Sequence, residues 1–236
     1  MTLSELTTSA QNYLKVVWAS AEWSDAPITA SIIAERLGLR MSTVSEGIRK
    51  LAAQGLVNHT PYGSVQLTEL GHAYALQMVR RHRLIETFLV QVLGYGWDEV
   101  HDEAEHLEHA VSDLMIERID VLLGHPVRDP HGDPIPTADG KLLMPQATQL
   151  SIVPLPATVC VERIADDDPA LLLHCDECKI TVGSLLRVTE GAPYSSTITV
   201  THVAEDGKEH GETITLGRPA TDAIYVSQPG HGETDE

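Results

Sequence analysis

Apolar side chains in the first hundred residues recur at the spacing of amphipathic helices. A first helix is predicted from a stripe at three- and four-residue intervals, formed by Tyr13, Leu14, Val17, Trp18 and Ala21. Thr29 is predicted to cap a second helix that ends at Gly38, and a third helix is predicted to begin with a cap near Ser42. Residues 57–68 predict two short strands around a Pro-Tyr-Gly-Ser turn, with the apolar Val65 and Leu67 at alternate positions after the turn. Two adjacent helices followed by a hairpin indicate a winged helix-turn-helix.

The middle of the chain is also helical, whereas its last third has the pattern of a β domain. One long helix is predicted from after Gly71 to Leu93, and another over about Val100 to Leu123. Prolines and glycines crowd residues 124–136, and residues 140–156 are predicted to be a connector. Four predicted strands then indicate a small barrel of about 70 residues, namely Thr158–Ile164, Ile180–Val188, Ser196–Val203 and Glu212–Leu216.

Composition excludes several classes of protein. No apolar run approaches the roughly 18–20 residues of a membrane-spanning helix, and the polar N-terminus has no secretory pattern. Three cysteines are too few for a disulfide scaffold and suit a reducing compartment, so we expect a cytoplasmic protein. Cys175 and Cys178 have metal-like spacing, but a lone pair of this kind more often marks two thiols near a turn than a zinc site.

Charge is unevenly distributed along the chain. The formal net charge is −18, which disfavours a nucleic-acid binder because DNA binding draws on basic side chains that release counterions. Residues 1–100, however, carry a net −1, and residues 101–236 carry the remaining −17. The near-neutral N-terminal part is therefore still compatible with DNA binding, provided that specificity comes from a dimer spanning two half-sites.

The predicted helix pair over residues 28–54 supplies candidate DNA-binding side chains. Short hydroxyls at the start of a recognition helix reach phosphates or base edges, and basic side chains hold the DNA backbone. The candidates are Thr29, Arg40, Ser42, Thr43, Ser45, Glu46, Arg49 and Lys50, together with Tyr62 and Ser64 on the predicted wing. One alternative is an ordinary helical pair in which Ser and Thr only cap helices. Another is a winged-helix interaction module that does not depend on metal.

Carboxylates and imidazoles are concentrated on the two central helices. Residues at i, i+3 and i+4 share one helical face, and the second helix carries there Glu105, Glu108 and His109, with His101 one turn earlier. His82 and Glu86 form an i, i+4 pair on the preceding helix. Packing of the two groups around a divalent cation would suit Mn²⁺, and imidazole widens the choice to Fe²⁺, Co²⁺, Ni²⁺ or Zn²⁺. The alternative is a solvated acidic face with scattered histidines.

These residues resemble a known family. The helix-turn-helix is followed by Arg81-His82-Arg83-Leu84-Ile85-Glu86, by His101-Asp102-Glu103-Ala104-Glu105, by Glu108-His109 and by Pro134-Ile135-Pro136. The arrangement resembles the diphtheria toxin repressor family of bacterial metal-dependent repressors, and within it the manganese transport repressor branch. The resemblance covers most of the chain, including a C-terminal part similar to the SH3-like module of longer members.

The resemblance implies an α+β fold with an N-terminal winged helix-turn-helix, a helical metal-binding and dimerisation domain and a small C-terminal SH3-like β-barrel. We expect the DNA-binding domain at residues 1–75 and the helical domain at 76–140. A linker is expected at 141–156, the SH3-like (FeoA-type) β domain at 157–228 and a disordered tail at 229–236.

The resemblance also implies a primary metal site formed by Asn12, His82, Glu105, Glu108 and His109. Iron-sensing members carry Cys at the position of Glu105, so a carboxylate there favours manganese. Asn12 departs from the Asp of manganese sensors and the Met of iron sensors, and it removes a charge from the site.

A second, ancillary site is implied for His82, Glu86 and His101, with a carboxylate from the C-terminal domain. Asp166 is the best positional match for that carboxylate, and Glu162 is the alternative. Some manganese-sensing members use a loop that resembles Asp129-Pro130-His131, which adds Asp129 and His131 as candidate ligands. His106 points away from the other ligands and is expected to be exposed.

The resulting prediction is a manganese-dependent transcriptional repressor of metal homeostasis genes, and not an enzyme. The resemblance implies a homodimer that binds palindromic DNA operators when loaded with Mn²⁺, with no membrane partner. Fe²⁺ is the alternative metal, and Co²⁺, Ni²⁺ or Zn²⁺ are expected to substitute in vitro. An alternative of another class is a metallohydrolase, in which carboxylates and histidines around a cation activate water.

Overall fold

A computed structural model describes residues 3–59, 63–204 and 206–229. The chain divides into two compact units. The first unit comprises residues 1–85, 105–120 and 135–142, and the second comprises residues 86–104, 121–134 and 143–236. Within the described ranges, no helix combines the length and the apolar character needed to cross a membrane.

The first unit begins with the predicted helix-turn-helix and hairpin. Its elements are α1 (Thr8–Glu22), α2 (Ala30–Arg36), α3 (Met41–Ala53), β1 (Val57–His59) and β2 (Val65–Leu67), and the two strands pair antiparallel. Thr29 caps α2 as predicted, since its hydroxyl accepts a hydrogen bond from the Ile32 amide. Gly38 forms the turn before α3 with a φ of +62°, a conformation that glycine adopts without strain.

The predicted cap of α3 at Ser42 is wrong. The N-cap is Arg40, whose backbone is extended, and Ser42 already lies within the first helical turn. No side chain caps this helix start, so the hydroxyl of Ser42 is not committed to a capping role. Tyr62, predicted on the wing, falls outside the described residues.

The apolar faces of α1, α2 and α3 pack into one core with the hairpin and the start of the next helix. The fully buried side chains of this core include Leu14, Ile33, Val44, Ile48 and Leu56. Tyr13 lies against α3 at Gly47, where an added Cβ would stand 2.6 Å from the tyrosine ring. The absence of a side chain at Gly47 therefore allows α1 to approach the recognition helix closely.

The next helix, α4 (Glu69–Phe88), begins two residues before Gly71 and not after it. It continues as a π-helical turn, Leu89–Leu93, and ends at Gly94, whose φ is +75°. Arg83 of α4 forms a bidentate ion pair with Glu22 at the end of α1, with N–O distances of 2.8 and 2.6 Å, and lies over the Trp18 ring. These contacts fix the end of α1 against α4.

The single helix predicted over about Val100 to Leu123 is wrong. The structure has two helices, α5 (Val100–Leu107) and α6 (Asp113–Leu122). Ser112 starts α6 because its hydroxyl accepts a hydrogen bond from the Met115 amide. Arg81 holds the intervening turn by donating to the carbonyl oxygens of Glu108 and Val111.

The second unit contains a six-stranded antiparallel sheet in the order β3-β8-β4-β5-β6-β7. Its strands are β3 (Thr148–Gln149), β4 (Ala157–Ile164), β5 (Leu185–Glu190), β6 (Ile198–Val203), β7 (Glu209–Leu216) and β8 (Ile224–Ser227). Prediction placed the start of β5 too early, at Ile180, and missed β8 as well as β3, which lies in the predicted connector. It also missed the helices α7 (Pro169–Glu177) and α8 (Arg218–Ala223). The predicted α+β class with a C-terminal β domain is confirmed, whereas residues 230–236, predicted to be disordered, lie outside the described ranges.

Candidate metal centres and DNA-binding surface

A first cluster of charged side chains lies within the first unit. His82 comes from α4, Glu105 from α5, and Glu108 from the turn that follows α5. Ligand atoms of these three residues lie within 4.8 Å of one another, and His82 Nδ1 is 2.7 Å from Glu108 Oε2. His109 Nε2 lies 3.3 Å from Glu108 Oε1. The structure thus brings together four of the five side chains predicted for the primary site.

Asn12, the fifth predicted ligand, lies on α1 with a side-chain oxygen that is buried and makes no hydrogen bond. His109 Nε2 is likewise buried without a hydrogen-bond partner. A buried acceptor without a donor is costly, and such atoms in a native fold call for a ligand or an ion. The His109 lone pair, 3.3 Å from the Glu108 carboxylate, fits a divalent cation, and the Asn12 oxygen is a second buried acceptor, on α1.

Gln11 fixes which nitrogen of His109 offers its lone pair. The Gln11 amide nitrogen donates to the backbone oxygens of Leu3 and Leu6, at 3.0 and 3.3 Å, so the amide oxygen must face His109. That oxygen lies 2.7 Å from His109 Nδ1 and can only accept, which places the proton on Nδ1. Burial lowers the pKa of His109, so the ring is neutral near pH 7 with Nε2 available as a ligand.

Lys15 of α1 also enters this cluster. Its Nζ lies 2.5 Å from Glu105 Oε1, 2.8 Å from the Glu108 carboxylate and 3.4 Å from His82 Nδ1. Burial by itself disfavours the ammonium, but Glu108 and Glu105 outweigh burial and raise the pKa of Lys15. Burial would likewise raise the pKa of Glu108, and hydrogen bonds from His82 and Lys15 lower it instead. The cluster therefore favours the charged form of the Glu108 carboxylate beside the Lys15 ammonium.

A second cluster lies within the second unit. Ligand atoms of Glu86, His131 and Asp166 lie within 4.8 Å of one another. His101 Nδ1 is 3.2 Å from both Glu86 Oε1 and Asp166 Oδ2. Burial lowers the pKa of His101, but its two carboxylate partners raise it to about 11. The four side chains form a compact group in which the carboxylates favour a positive charge.

His131 reaches this cluster through the loop before the linker. The Ile164 amide donates to the His131 carbonyl oxygen, which attaches the loop to β4. His131 Nε2 lies 2.7 Å from the Trp97 carbonyl oxygen and must donate to it, while the two rings stack at 5.7 Å. His131 Nδ1 is buried and makes no hydrogen bond. Nδ1 is thus the ring nitrogen of His131 that is left for a ligand in the second cluster.

Two other predicted ligands are held elsewhere. Glu162, the alternative to Asp166, is 2.5 Å from Arg128 and accepts a 2.5 Å hydrogen bond from Ser227. The Asp129 carboxylate accepts hydrogen bonds from the backbone amides of His131 and Asp133, both at 2.9 Å. Asp129 therefore shapes the loop, and the structure does not bring its carboxylate into either described ligand group.

The cysteine pair has the features of ordinary thiols. Cys175 is buried in the core of the second unit, and burial raises its pKa to about 11. Cys178 Sγ is 3.8 Å from His174 Nε2. Among the described residues, neither cysteine belongs to a group of three or more side chains with metal-ligand geometry.

The predicted DNA-binding residues lie mainly along one exposed face of α3. Val44, Ile48 and Leu51 point into the core, whereas the opposite face exposes Ser42, Thr43, Ser45, Glu46, Arg49 and Lys50. Glu46 and Lys50 pair at 2.8 Å on this face. Arg40 is exposed just before the helix, and Thr29 and Ser64 are half-buried. The exposed hydroxyls and basic side chains thus form a continuous polar surface on one helix.

Sequence reasoning missed Gln11 and Lys15 as members of the first cluster. Both are buried polar residues of α1, and Lys15 stands three residues after Asn12, on the same helical face. A polar group that interrupts the apolar stripe of a core-facing helix was the available signal. The partners of these residues within the cluster, however, lie 67 to 98 residues later in the chain.

Family models match almost the whole chain in three parts. Residues 5–65 match the N-terminal DNA binding domain of iron dependent repressors, and residues 68–137 match their metal binding and dimerisation domain. Residues 148–228 match the FeoA domain.

His106 of α5, which was expected to be exposed, is exposed in the structure.

Similar proteins are named as repressors. The iron-dependent repressor IdeR of Mycobacterium tuberculosis is 37% identical over 134 residues, which are 57% of this chain and 58% of that protein. The match thus covers less than two thirds of the length of that repressor. These names describe regulators, and they give the metallohydrolase alternative no support.

Solved structures match over nearly the full length. A manganese-dependent transcriptional repressor in complex with manganese is 52% identical, with a TM-score of 0.86, and the match covers 93% of this chain and 99% of that one. The manganese regulator SloR is 32% identical, with a TM-score of 0.75, over 94% of this chain and 100% of that one. Identity of this extent over whole chains, together with the three matched domains, shows that the chain belongs to the diphtheria toxin repressor family.

Proposed function

We propose that the protein is a manganese-dependent transcriptional repressor that controls metal homeostasis genes. The observation that carries the proposal is the first cluster, because a side chain of α1, Lys15, meets there an imidazole and two carboxylates of the following helices that a divalent cation can use as ligands. The similarity to manganese-dependent repressors supports the same metal. A cytoplasmic homodimer belongs to the proposal, as do the domain limits 1–75, 76–140, 141–156 and 157–228.

The first site would hold the cation with Asn12, His82, Glu105, Glu108 and His109. A bound divalent cation supplies two positive charges that neutralise the paired carboxylates. Asn12 would contribute its buried amide oxygen. The tautomer fixed by Gln11 would leave the lone pair of His109 Nε2 available as a metal ligand. Because Asn12 lies on α1, closing this ligand set ties α1 to α5 and to the turn after it.

The ligand set favours manganese over iron. It contains oxygen and imidazole nitrogen donors without a thiolate, and hard oxygen donors suit Mn²⁺ whereas thiolates suit softer metals. Asn12 is neutral, so this site has one negative charge fewer than a site with aspartate at that position. Fe²⁺ is the alternative activator, and Co²⁺, Ni²⁺ or Zn²⁺ are expected to bind in vitro.

The second cluster is proposed as the ancillary site, with Glu86, His101, His131 and Asp166 as its ligands. The choice of Asp166 over Glu162 rests on the contacts of Glu162 with Arg128 and Ser227. The unpartnered His131 Nδ1 supports its part in the site.

DNA would be bound by α3 of each subunit in successive major grooves of a palindromic operator. Ser42, Thr43 and Ser45 would contact phosphates or base edges, and Arg40, Arg49 and Lys50 would hold the backbone. The ligand-bound site would favour one separation of the two recognition helices out of many, which is a population shift.

The test is operator binding with and without Mn²⁺. A duplex selected from a random library in the presence of Mn²⁺ serves as the probe, and fluorescence anisotropy measures its affinity. We expect Mn²⁺ to tighten binding by about 5- to 150-fold, the range of a 1–3 kcal/mol coupling. The double variant Glu105→Ala, Glu108→Ala should remain a folded dimer and lose this stimulation.

The matched control removes one exposed carboxylate of α5 and one of α6, Asp102→Ala with Glu117→Ala, and should respond to Mn²⁺ like the wild type. Equal affinity of the wild type with and without Mn²⁺ would overturn the proposal. If Fe²⁺ stimulates operator binding and Mn²⁺ does not, the activating metal is iron and not manganese.

A further inference from the structure

Lys15 places a positive charge where the ligands of the first cluster converge. Its side chain is 10% exposed, and its Nζ is within hydrogen-bond distance of Glu105 and Glu108 and 3.4 Å from His82 Nδ1. A lysine is almost never buried to this degree unless its charge is paired. Here both partners are proposed metal ligands.

An ammonium cannot share these carboxylates with a metal ion. It has three N–H donors and no lone pair, so it cannot become a ligand itself. Lys15 Nζ is 2.5 Å from the Glu105 carboxylate and 2.8 Å from that of Glu108, so a divalent cation bound to the same oxygens would stand within a few ångströms of the ammonium. Two like charges a few ångströms apart in a buried site also repel each other. The ammonium and the metal ion are therefore mutually exclusive at these atoms.

The side chain has a route out of the cluster. Lysine carries its charge on a flexible four-carbon stem, so Nζ can move while α1 stays in place. Glu105 is 38% exposed, whereas Glu108 is fully buried, so the cluster opens to water on the Glu105 side. Displaced from Glu108, the ammonium can reach solvent past Glu105.

We propose that Lys15 is a tethered competitor of the metal ion: it occupies the first site in the metal-free protein and must leave its carboxylates before a divalent cation binds. The inference rests on the proposed metal site. Its consequence is that Lys15 raises the metal concentration at which the protein responds, and that its loss makes the first site tighter.

The experiment compares the metal affinity of whole-chain variants freed of metal by a chelator. Electron paramagnetic resonance of free Mn²⁺ gives the affinity and the number of ions bound per chain. Lys15→Met and Lys15→Gln should bind one equivalent of Mn²⁺ at least tenfold more tightly, which corresponds to about 1.4 kcal/mol. Lys15→Arg keeps the charge and should bind as weakly as the wild type. Lys208→Met, which removes an exposed lysine paired with Asp206, is the charge-matched control and should change nothing.

A second readout separates competition from a purely structural role. Without metal, Lys15→Met removes the ammonium that contacts Glu105 and Glu108, and the variant should unfold at lower urea concentration than the wild type. Saturating Mn²⁺ should then raise its unfolding midpoint by more than it raises that of the wild type. Equal or weaker Mn²⁺ binding by folded Lys15→Met and Lys15→Gln overturns the inference. Failure of the wild type and both neutral variants to bind Mn²⁺ overturns the proposed metal site instead.

Discussion

Substitution of Gln11 tests whether the first site depends on a fixed histidine tautomer. Gln11→Leu keeps the approximate volume and removes three hydrogen bonds, two to the backbone oxygens of Leu3 and Leu6 and one to His109 Nδ1. At about 1 kcal/mol each, their loss should lower the free energy of unfolding of the metal-free protein by about 2–3 kcal/mol.

The effect on metal affinity has a separate origin. Without the Gln11 oxygen, the His109 Nδ1 proton has lost its acceptor. The ring can then keep Nε2 free as a metal ligand only if the buried Nδ1–H group remains without a hydrogen bond. That penalty is about 1–3 kcal/mol, or roughly 5- to 150-fold in affinity. Loss of a hydrogen-bond partner behind a metal-binding histidine commonly costs about 10–100-fold, which agrees with this range.

The assay is a Mn²⁺ titration of the variant beside urea unfolding with and without Mn²⁺. We expect weaker binding and a smaller increase of the unfolding midpoint on adding Mn²⁺, since both report the same difference between metal-free and loaded states. Gln77→Leu, at an exposed position of α4, is the matched control. A folded Gln11→Leu protein with wild-type Mn²⁺ affinity would refute the tautomer argument.

Two further substitutions test the second cluster and the contact between α1 and α3. Asp166→Asn removes a charge from the second cluster and should reduce the Mn²⁺ bound per chain by one ion, as measured by equilibrium dialysis. Asp167→Asn, at the exposed neighbouring position, should leave the number of bound ions unchanged. Two ions bound to the Asp166 variant at wild-type affinity would count against this site. Gly47→Ala places a Cβ 2.6 Å from the buried Tyr13 ring, and overpacking of about 1–3 kcal/mol exceeds the gain in helix propensity of about 1 kcal/mol over most of that range. We expect operator affinity in Mn²⁺ to fall at least threefold in anisotropy titrations, with Mn²⁺ affinity retained; an unchanged operator affinity would show that this contact is not needed.

Local sequence signals predicted the parts of the fold that depend on neighbours along the chain. The stripe of α1, the cap at Thr29 and the turn at Gly38 are each set by a few adjacent residues, and the structure has all three. The spacing of Glu105 and Glu108 also placed both on one side of a helix, although that helix ends between them because Ser112 starts a new one. Periodicity continued across the break and hid it.

Other features depend on residues far apart in sequence or on very short elements. The start of α7 carries a plain signal, Asp168 as cap followed by Pro169, but the surrounding β pattern outweighed a nine-residue helix. The competition between Lys15 and a metal ion is not visible in any local window, because the partners of Lys15 are found only when α1 packs against α5 and the turn after it. Tertiary packing, and not local propensity, determines these contacts.

The geometry of α1 explains how a charge change at the first cluster is connected to DNA recognition. Lys15 of α1 contacts Glu105 and Glu108, while Tyr13 of the same helix contacts Gly47 and directs its hydroxyl to the Thr43 carbonyl oxygen at 3.4 Å on α3. A bound metal ion can shift an equilibrium only by the difference in its affinity for the two conformations. Lys15 already connects α1 to Glu105 and Glu108 in the metal-free protein. That connection is made by one positive charge, the ammonium of Lys15. In the proposed mechanism, metal binding exchanges a univalent, flexible tie for a divalent one that would also engage Asn12 and His109, and the free energy of that exchange limits how strongly metal can couple to DNA binding.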